Sequence, residues 1–102
     1  MILGYRLASP PEKLWHGTAK KNIKSILREG LKPGRRHKVH LSVDRTVAYH
    51  VGQRHGDAVV LDVNTEQMNR DGYLFVKSEN NVWLTDFVPP IYLLINEHCE
   101  NT

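Results

Sequence analysis

Three short stretches hold most of the chemistry this chain can offer. The first is LWHGT at residues 14–18, a histidine at the end of an apolar run, then a glycine and a threonine suited to cap a helix. Gly17 would let a ligand approach the backbone, and a helix starting after Thr18 would present free N–H groups to an anion. The same His16 also fits an ordinary hydrogen-bonded residue at a strand end. The second is RRHKVHLS at residues 35–42, where Arg35, Arg36, His37 and Lys38 precede an alternation. Val39 and Leu41 can enter a core while His40 and Ser42 share the opposite face. A strand entered through a cationic loop can floor an anion site, or it can be an edge strand with a solvated lead-in. The third is GQRHG at residues 52–56, which sets Arg54 and His55 between two glycines. An arginine fork matches phosphate oxygens, and the same cations also fit a helix end whose dipole they offset.

Other chemistries find little support. His37 and His40 would point to opposite faces of a strand, and no acid or cysteine joins them, His50 or His55 in a ligand set, so no metal is expected. Neither GxGxxG nor GxxxxGK[ST] occurs. Phe75 and Trp83 fall on short strands, where an aromatic ring can stack on a base or fill a small core.

The elements that must position these residues follow from periodicity and turn chemistry. Lys13 to His16 reads as a strand, and Thr18 as the cap of a helix from Ala19 to Glu29 with Ile23, Ile26, Leu27 and Leu31 on its apolar side. Gly30 ends that helix in a left-handed conformation. After a strand over Val39–Ser42, Asp44 caps a second helix whose apolar side is Val47, Ala48 and Val51, closed by Gly52–Gly56. Ala58–Val63 is a β-branched strand. Asn64 and Gln67 form a capping box for one turn through Met68. Asp71–Gly72 is a turn, followed by strands near Tyr73–Lys77 and Val82–Leu84 joined at Glu79–Asn81, and then by a strand over Ile91–Ile95. Residues 1–13 read as a tail or linker, 14–95 as one domain and 96–102 as a second tail. Early helices followed by several short strands give the α+β class.

The chain has 102 residues, enough for one small domain. Residues 1–56 hold 12 Lys or Arg against 3 acids, whereas residues 57–102 hold 2 against 8. That asymmetry concentrates positive potential and favours phosphate-rich partners, although a solvated helix face accounts for the charge as well. No apolar run is long enough to span a membrane, no secretory signal opens the chain, and the single Cys99 cannot form an internal disulfide. A cytoplasmic location is expected.

Taken together and in order, LWHGT, SILREGLKPGRRHKVHLS, VGQRHGDAVVLDV and DGYLFVKSENNVWLTDFVPPIYL resemble the RNA 2′-phosphotransferase family, also called tRNA 2′-phosphotransferase, over residues 14–93. The match is to that family's C-terminal, NAD-binding lobe. The resemblance implies an ADP-ribosyltransferase-like fold, two small packed antiparallel β-sheets with flanking helices around an NAD cleft. It implies NAD as co-substrate, no metal, and an RNA with an internal 2′-phosphate, as at a tRNA splice junction, as partner. The implied reaction has two steps. The RNA 2′-phosphate attacks the anomeric carbon of the NAD ribose and expels nicotinamide, and a ribose hydroxyl then attacks the phosphate. The products are a plain 2′-OH and ADP-ribose 1″,2″-cyclic phosphate.

Carried over by position, the resemblance assigns His16, Gly17 and Thr18 to a first NAD-binding motif and His40, Leu41 and Ser42 to a second. It makes Arg54 the catalytic arginine, in contact with phosphate, and places Phe75 and Ser78 in a later strand motif of the cofactor site. Arg35, Arg36, His37, Lys38 and His55 would lie on the RNA and phosphate side. Family members also carry an N-terminal winged-helix lobe with an Arg-His pair and a further arginine, and residues 1–13 contain no such pair. A separate winged-helix lobe is therefore an expected partner. Two alternatives stand beside this reading: a stand-alone ADP-ribosyltransferase that caps nucleic-acid phosphates, and a non-catalytic NAD- or RNA-binding module.

Overall fold

Pairing rather than propensity decides where most of the strands run. The computed structural model describes residues 5–33, 38–54, 56–78 and 82–95. Within them, β1 (Tyr5–Leu7), β5 (Val76–Ser78), β6 (Trp83–Thr85) and β3 (Val39–Leu41) form one antiparallel sheet in that lateral order. A second antiparallel sheet has β2 (Leu14–Ala19), β4 (Ala58–Val63) and β7 (Leu93–Ile95). This is the α+β architecture expected from the sequence. Leu14, Leu61 and Val63 of one sheet meet Val39, Leu41 and Trp83 of the other, with Phe75 and Met68 between the layers. Each such side chain contributes roughly 1.5–3 kcal/mol when fully buried. Arg35, Arg36, His37, His55, the turn over 79–81 and the stretch 96–102 lie outside the described residues. No helix among those described is long and apolar enough to cross a membrane.

The first helix departs from expectation at its start. β2 continues through Thr18 to Ala19 because Gly17, Thr18 and Ala19 pair with Val60, Val59 and Ala58. Thr18 is therefore a strand residue and caps nothing; a 3-10 turn over Lys20–Asn22 leads into α1 (Ile23–Glu29). Ile23 and Ile26 pack on the core, but Leu27 is exposed. Gly30 does end the helix, at φ 89° and ψ 177°, an extended positive-φ conformation open essentially to glycine alone and not the left-handed helical one. It swings Leu31 into a bridge with Val88, whose carbonyl accepts the Leu31 N–H at 2.8 Å.

Local capping signals elsewhere hold. The Asp44 carboxylate accepts the Thr46 N–H at 2.7 Å and opens α2 (Arg45–Gln53). Asn64 accepts the Gln67 N–H at 3.2 Å and opens α3 (Thr65–Arg70), which runs past Met68. The reciprocal half of that capping box is missing: the Gln67 amide donates to Asp71, and the Asn64 N–H donates to the Tyr92 carbonyl. The last strand is shortened to Leu93–Ile95 because Pro90–Tyr92 takes up a 3-10 turn.

The sequence suggests a tail over residues 1–13, yet residues 5–12 are anchored to the rest of the fold. β1 pairs with β5, the Ala8 N–H donates to the Phe75 carbonyl at 3.1 Å, and the buried Thr65 hydroxyl donates to the Pro11 carbonyl at 2.7 Å. This anchors the chain directly ahead of β2, where the first motif begins.

A pH-sensitive contact closes the far side of the core. The Tyr92 hydroxyl and the Gln67 amide both donate to Asp71. The Tyr92 bond first, then the Gln67 bond, hold the Asp71 carboxyl below its ordinary value. The same bond to Asp71, followed by burial, pushes Tyr92 up to about 12. Stability from Asp71 is present above the unfolded carboxyl value of about 3.9 and is lost as pH falls through the lower folded value. The Tyr92 contribution is present below about 10 and is lost as pH rises through the folded value. Asp71→Asn should therefore melt lower than the wild type at neutral pH, and the two melting temperatures should converge as pH falls from 5 to 2. Parallel curves across that range would rule the contact out as a source of acid sensitivity.

Candidate functional site

Among the described residues, β2 and β3 meet at a single bridge, and the candidate site is the gap that opens beside it. Trp15 and Ser42 exchange both main-chain hydrogen bonds, Trp15 N–H to Ser42 O at 2.9 Å and Ser42 N–H to Trp15 O at 2.8 Å. Continued antiparallel pairing would next join Gly17 to His40. Instead the ladder stops, and the His16 ring reaches across, its Nδ1 2.9 Å from the His40 carbonyl oxygen. A carbonyl only accepts, so Nδ1 carries the proton, and in the neutral ring Nε2 is the acceptor. The His40 ring is fixed alike, with Nδ1 3.1 Å from the Lys38 carbonyl oxygen. Two imidazoles are thus oriented by main-chain carbonyls of the same strand entry.

Because strand amides alternate in direction, the N–H and C=O of Gly17 point the same way as those of Trp15, toward the edge that β3 has left. Among the described residues no main-chain partner takes them. The resulting cleft has a volume of about 390 Å³, within the range of small-molecule sites. His16, Thr18, Lys38, His40 and Ser42 line it, and Val47 and Val51 of α2 form an apolar wall. Trp15 also lines the cleft, and its indole N–H is buried without a hydrogen-bond partner among the described residues.

Gly17 has a different role from the one its sequence position suggests. A Cβ there would stand 1.6 Å from the Ala48 carbonyl oxygen, so its missing side chain makes room for α2 and not for a ligand. Gly52 is the reciprocal contact, where a Cβ would lie 2.9 Å from both the N and the O of Thr18. It lies inside the helix, so it does not open an approach to Arg54 as a flanking glycine. This paired close approach presses α2 flat against β2 and sets its Val47–Val51 face at the cleft.

The other site residues read from sequence divide clearly. His16, Gly17, Thr18, Lys38, His40 and Ser42 come together around the cleft. Leu41 and Phe75 do not; both are 1 % exposed, and their side chains belong to the core between the sheets. Strand alternation puts Leu41 opposite His40, and Phe75 falls two residues before Lys77, on the Trp83 face. The Ser78 hydroxyl accepts the Val82 N–H at 3.2 Å and so closes the β5–β6 hairpin. Lys38 is paired with Asp86 across the cleft rim. Thr18 accepts from the Asn22 amide at 3.5 Å instead of capping a helix. Arg54 is exposed at the end of α2, beyond the residues that line the cleft. It nevertheless follows Val47 and Val51 at the i, i+4, i+7 spacing of one helix face. Trp15, Asn22, Val47 and Val51 were missed as site residues; the helical spacing of the two valines with Arg54 was the available signal.

Comparison with known proteins places the chain in a family. Residues 3–87 match the model of a family described as RNA 2′-phosphotransferase, Tpt1 / KptA family. A probable RNA 2′-phosphotransferase from Agrobacterium fabrum is 54% identical over 94 residues, covering 92% of this chain and 50% of the relative. One from Burkholderia lata is 52% identical over 89 residues, 87% of this chain and 46% of the relative. One from Acaryochloris marina is 50% identical over 86 residues, 84% of this chain and 48% of the relative. The chain spans about half the length of the curated relatives it matches.

Proposed function

Because the chain belongs to the RNA 2′-phosphotransferase family, we propose that its cleft holds NAD and that the chain serves transfer of an internal RNA 2′-phosphate to that co-substrate. The family is one of NAD-dependent transferases, and its ADP-ribosyltransferase-like fold is the two-sheet frame described above. The observation that carries the proposal is the split between β2 and β3 after the Trp15–Ser42 bridge. It leaves the Gly17 donor and acceptor side by side at an open strand edge, an arrangement complementary to a primary carboxamide such as that of nicotinamide. The valine wall suits the flat face of an aromatic ring.

NAD, when bound, supplies an electrophilic anomeric carbon and a leaving group. The residues of this chain bind and orient. His16 holds the parted strands at a fixed width through its bond to His40 O. His40, with Nδ1 committed to the Lys38 carbonyl, offers Nε2 as an acceptor for a sugar hydroxyl, and Ser42 on the same strand adds a second small polar group. The attacking phosphate is already an anion, so the site needs cations rather than a strong base. Lys38 at the rim, by exchanging Asp86 for phosphate, and Arg54 at the end of the valine face would supply them. Positioning then supplies most of the rate.

The test is one incubation of the chain with NAD and an RNA bearing a single internal 2′-phosphate, with all products resolved. Loss of the phosphate with ADP-ribose 1″,2″-cyclic phosphate appearing would establish both steps. A persistent ADP-ribosylated RNA would establish a capping transferase instead. An NAD-dependent rise in melting temperature with the RNA unchanged would assign the chain as a nucleotide-binding lobe. No thermal shift and no nicotinamide release would reject the proposal.

A further inference from the structure

The cations of this chain are not equally neutralised. Lys13 pairs with Asp62, Arg28 and Lys32 share Glu29, Lys38 pairs with Asp86 and Arg70 with Glu66, while Lys77 lies 5.7 Å from the centroid of the Trp83 ring. Lys20, Lys21 and Lys24 are different. All three are exposed, and among the described residues none has an ion pair or a side-chain hydrogen bond. They fall together because the 3-10 turn over Lys20–Asn22 runs directly into α1, and Ile23 and Ile26 face the core. Lys24 is then one turn from Lys20, on the outer side.

Lys20 and Lys21 also line a hollow with Ala19, Gly56 and Asp57. The Lys20 N–H donates to the Asp57 carbonyl at 2.7 Å, which locks the lysine turn to the chain entering β4. A Cβ at Gly56 would meet nothing within 4 Å, so the hollow has room at that edge, while the Gly56 N–H itself donates to the Gln53 carbonyl at 3.3 Å. Asp57 is the one acid of this hollow. Like charges one turn apart repel, and two lysines beside a single acid, with Lys24 one turn further along, make a surface that gains from a polyanion. The hollow lies two residues along the chain from Arg54, so it adjoins the Arg54 end of α2 and is separate from the rim formed by Lys38 and His40.

We propose that Lys20, Lys21 and Lys24 bind backbone phosphates of the RNA flanking the nucleotide whose 2′-phosphate enters the cleft. The proposal rests on the RNA reading above and adds to it a second, sequence-independent contact. Lysines suit that task because an ammonium is a flexible point charge that follows a backbone without reading bases.

The experiment is fluorescence anisotropy with a single-stranded RNA carrying an internal 2′-phosphate and with its unphosphorylated counterpart, each titrated across a salt series. The triple variant Lys20→Ala, Lys21→Ala, Lys24→Ala should lose about 10-fold or more in affinity for both RNAs at low salt. Its slope of log affinity against log salt should be shallower by roughly 2, at about 0.7 per lost contact to a single strand. The triple Lys→Arg variant should bind like the wild type. The NAD-dependent thermal shift should be the same in all three proteins. An unchanged slope, a loss confined to the 2′-phosphorylated RNA, or a simultaneous loss of the NAD shift would each overturn the proposal. Failure of the cleft reading is visible separately, as absence of the NAD shift in the wild type.

Discussion

Gly17→Ala is expected to remove about 3 kcal/mol of stability or more, the upper end of what overpacking costs, and to lower the melting temperature by roughly 12–24 °C. The physical reason is a single distance. The new methyl would stand 1.6 Å from the Ala48 carbonyl oxygen and 2.5 Å from its carbon. These are backbone atoms, so no rotamer change relieves the contact and α2 must move away from β2 as a unit. That movement also separates Gly52 from Thr18 and carries Val47 and Val51 off the cleft, so whatever fraction folds should bind NAD poorly. Gly56→Ala is the control, since a methyl there meets nothing within 4 Å and pays only the strain of a φ of +128°, about 1–3 kcal/mol. The check is thermal and denaturant unfolding of both variants beside the wild type. Equal melting of Gly17→Ala and Gly56→Ala would mean that α2 does not rest on β2 as closely as described.

The same contact explains which parts of the molecule were legible in the sequence. Features set by residues a few positions apart could be read directly: the Asp44 cap, the Asn64 cap, the β-branched run of β4 and the end of α1 at Gly30. Features set by distant partners could not. Thr18 has the chemistry of a cap, but β4 offers a longer ladder and the strand takes it. Residues 5–7 lack strong strand character, yet β5 supplies an edge for them. Gly17 and Gly52 look like loosened backbone beside functional groups, and each is in fact half of one helix-on-strand contact made across 35 positions. In the site, alternation correctly put His40 and Ser42 on the open face, and by the same logic it buries Leu41. Phe75 is buried in the core for a reason no local pattern reveals: it packs in the apolar cluster built from both sheets.

Arg54→Ala should lower nicotinamide release, measured with NAD and 2′-phosphorylated RNA, by at least about 100-fold, the effect of removing one positioned charge donor from developing negative charge. It should also abolish the preference for 2′-phosphorylated over unphosphorylated RNA in binding. The unfolding midpoint should move little, because the side chain is exposed and forms no ion pair among the described residues; surface changes of this kind usually stay within about 0.5 kcal/mol. The competing role is structural. Arg54 stands at the C-cap of α2, its N–H donating to Val51 O at 3.2 Å, and a cation there offsets the helix dipole, for about 0.3–1 kcal/mol. The two roles separate in Arg54→Lys. A dipole partner needs only charge, so lysine would restore stability and leave catalysis untouched throughout the series. A phosphate fork needs two parallel donors in a plane, which an ammonium cannot present, so lysine would recover RNA affinity in part and turnover very little. What favours the fork is the helix itself. Val47, Val51 and Arg54 follow one another along a single face, and the Gly17–Gly52 contact turns that face to the cleft. On the proposed reading, an arginine at the end of that face would reach a phosphate entering the cleft, and its position depends on the same packing that Gly17→Ala destroys. Undiminished turnover and undiminished phosphate preference in a folded Arg54→Ala protein would leave Arg54 as a helix-end residue and nothing more.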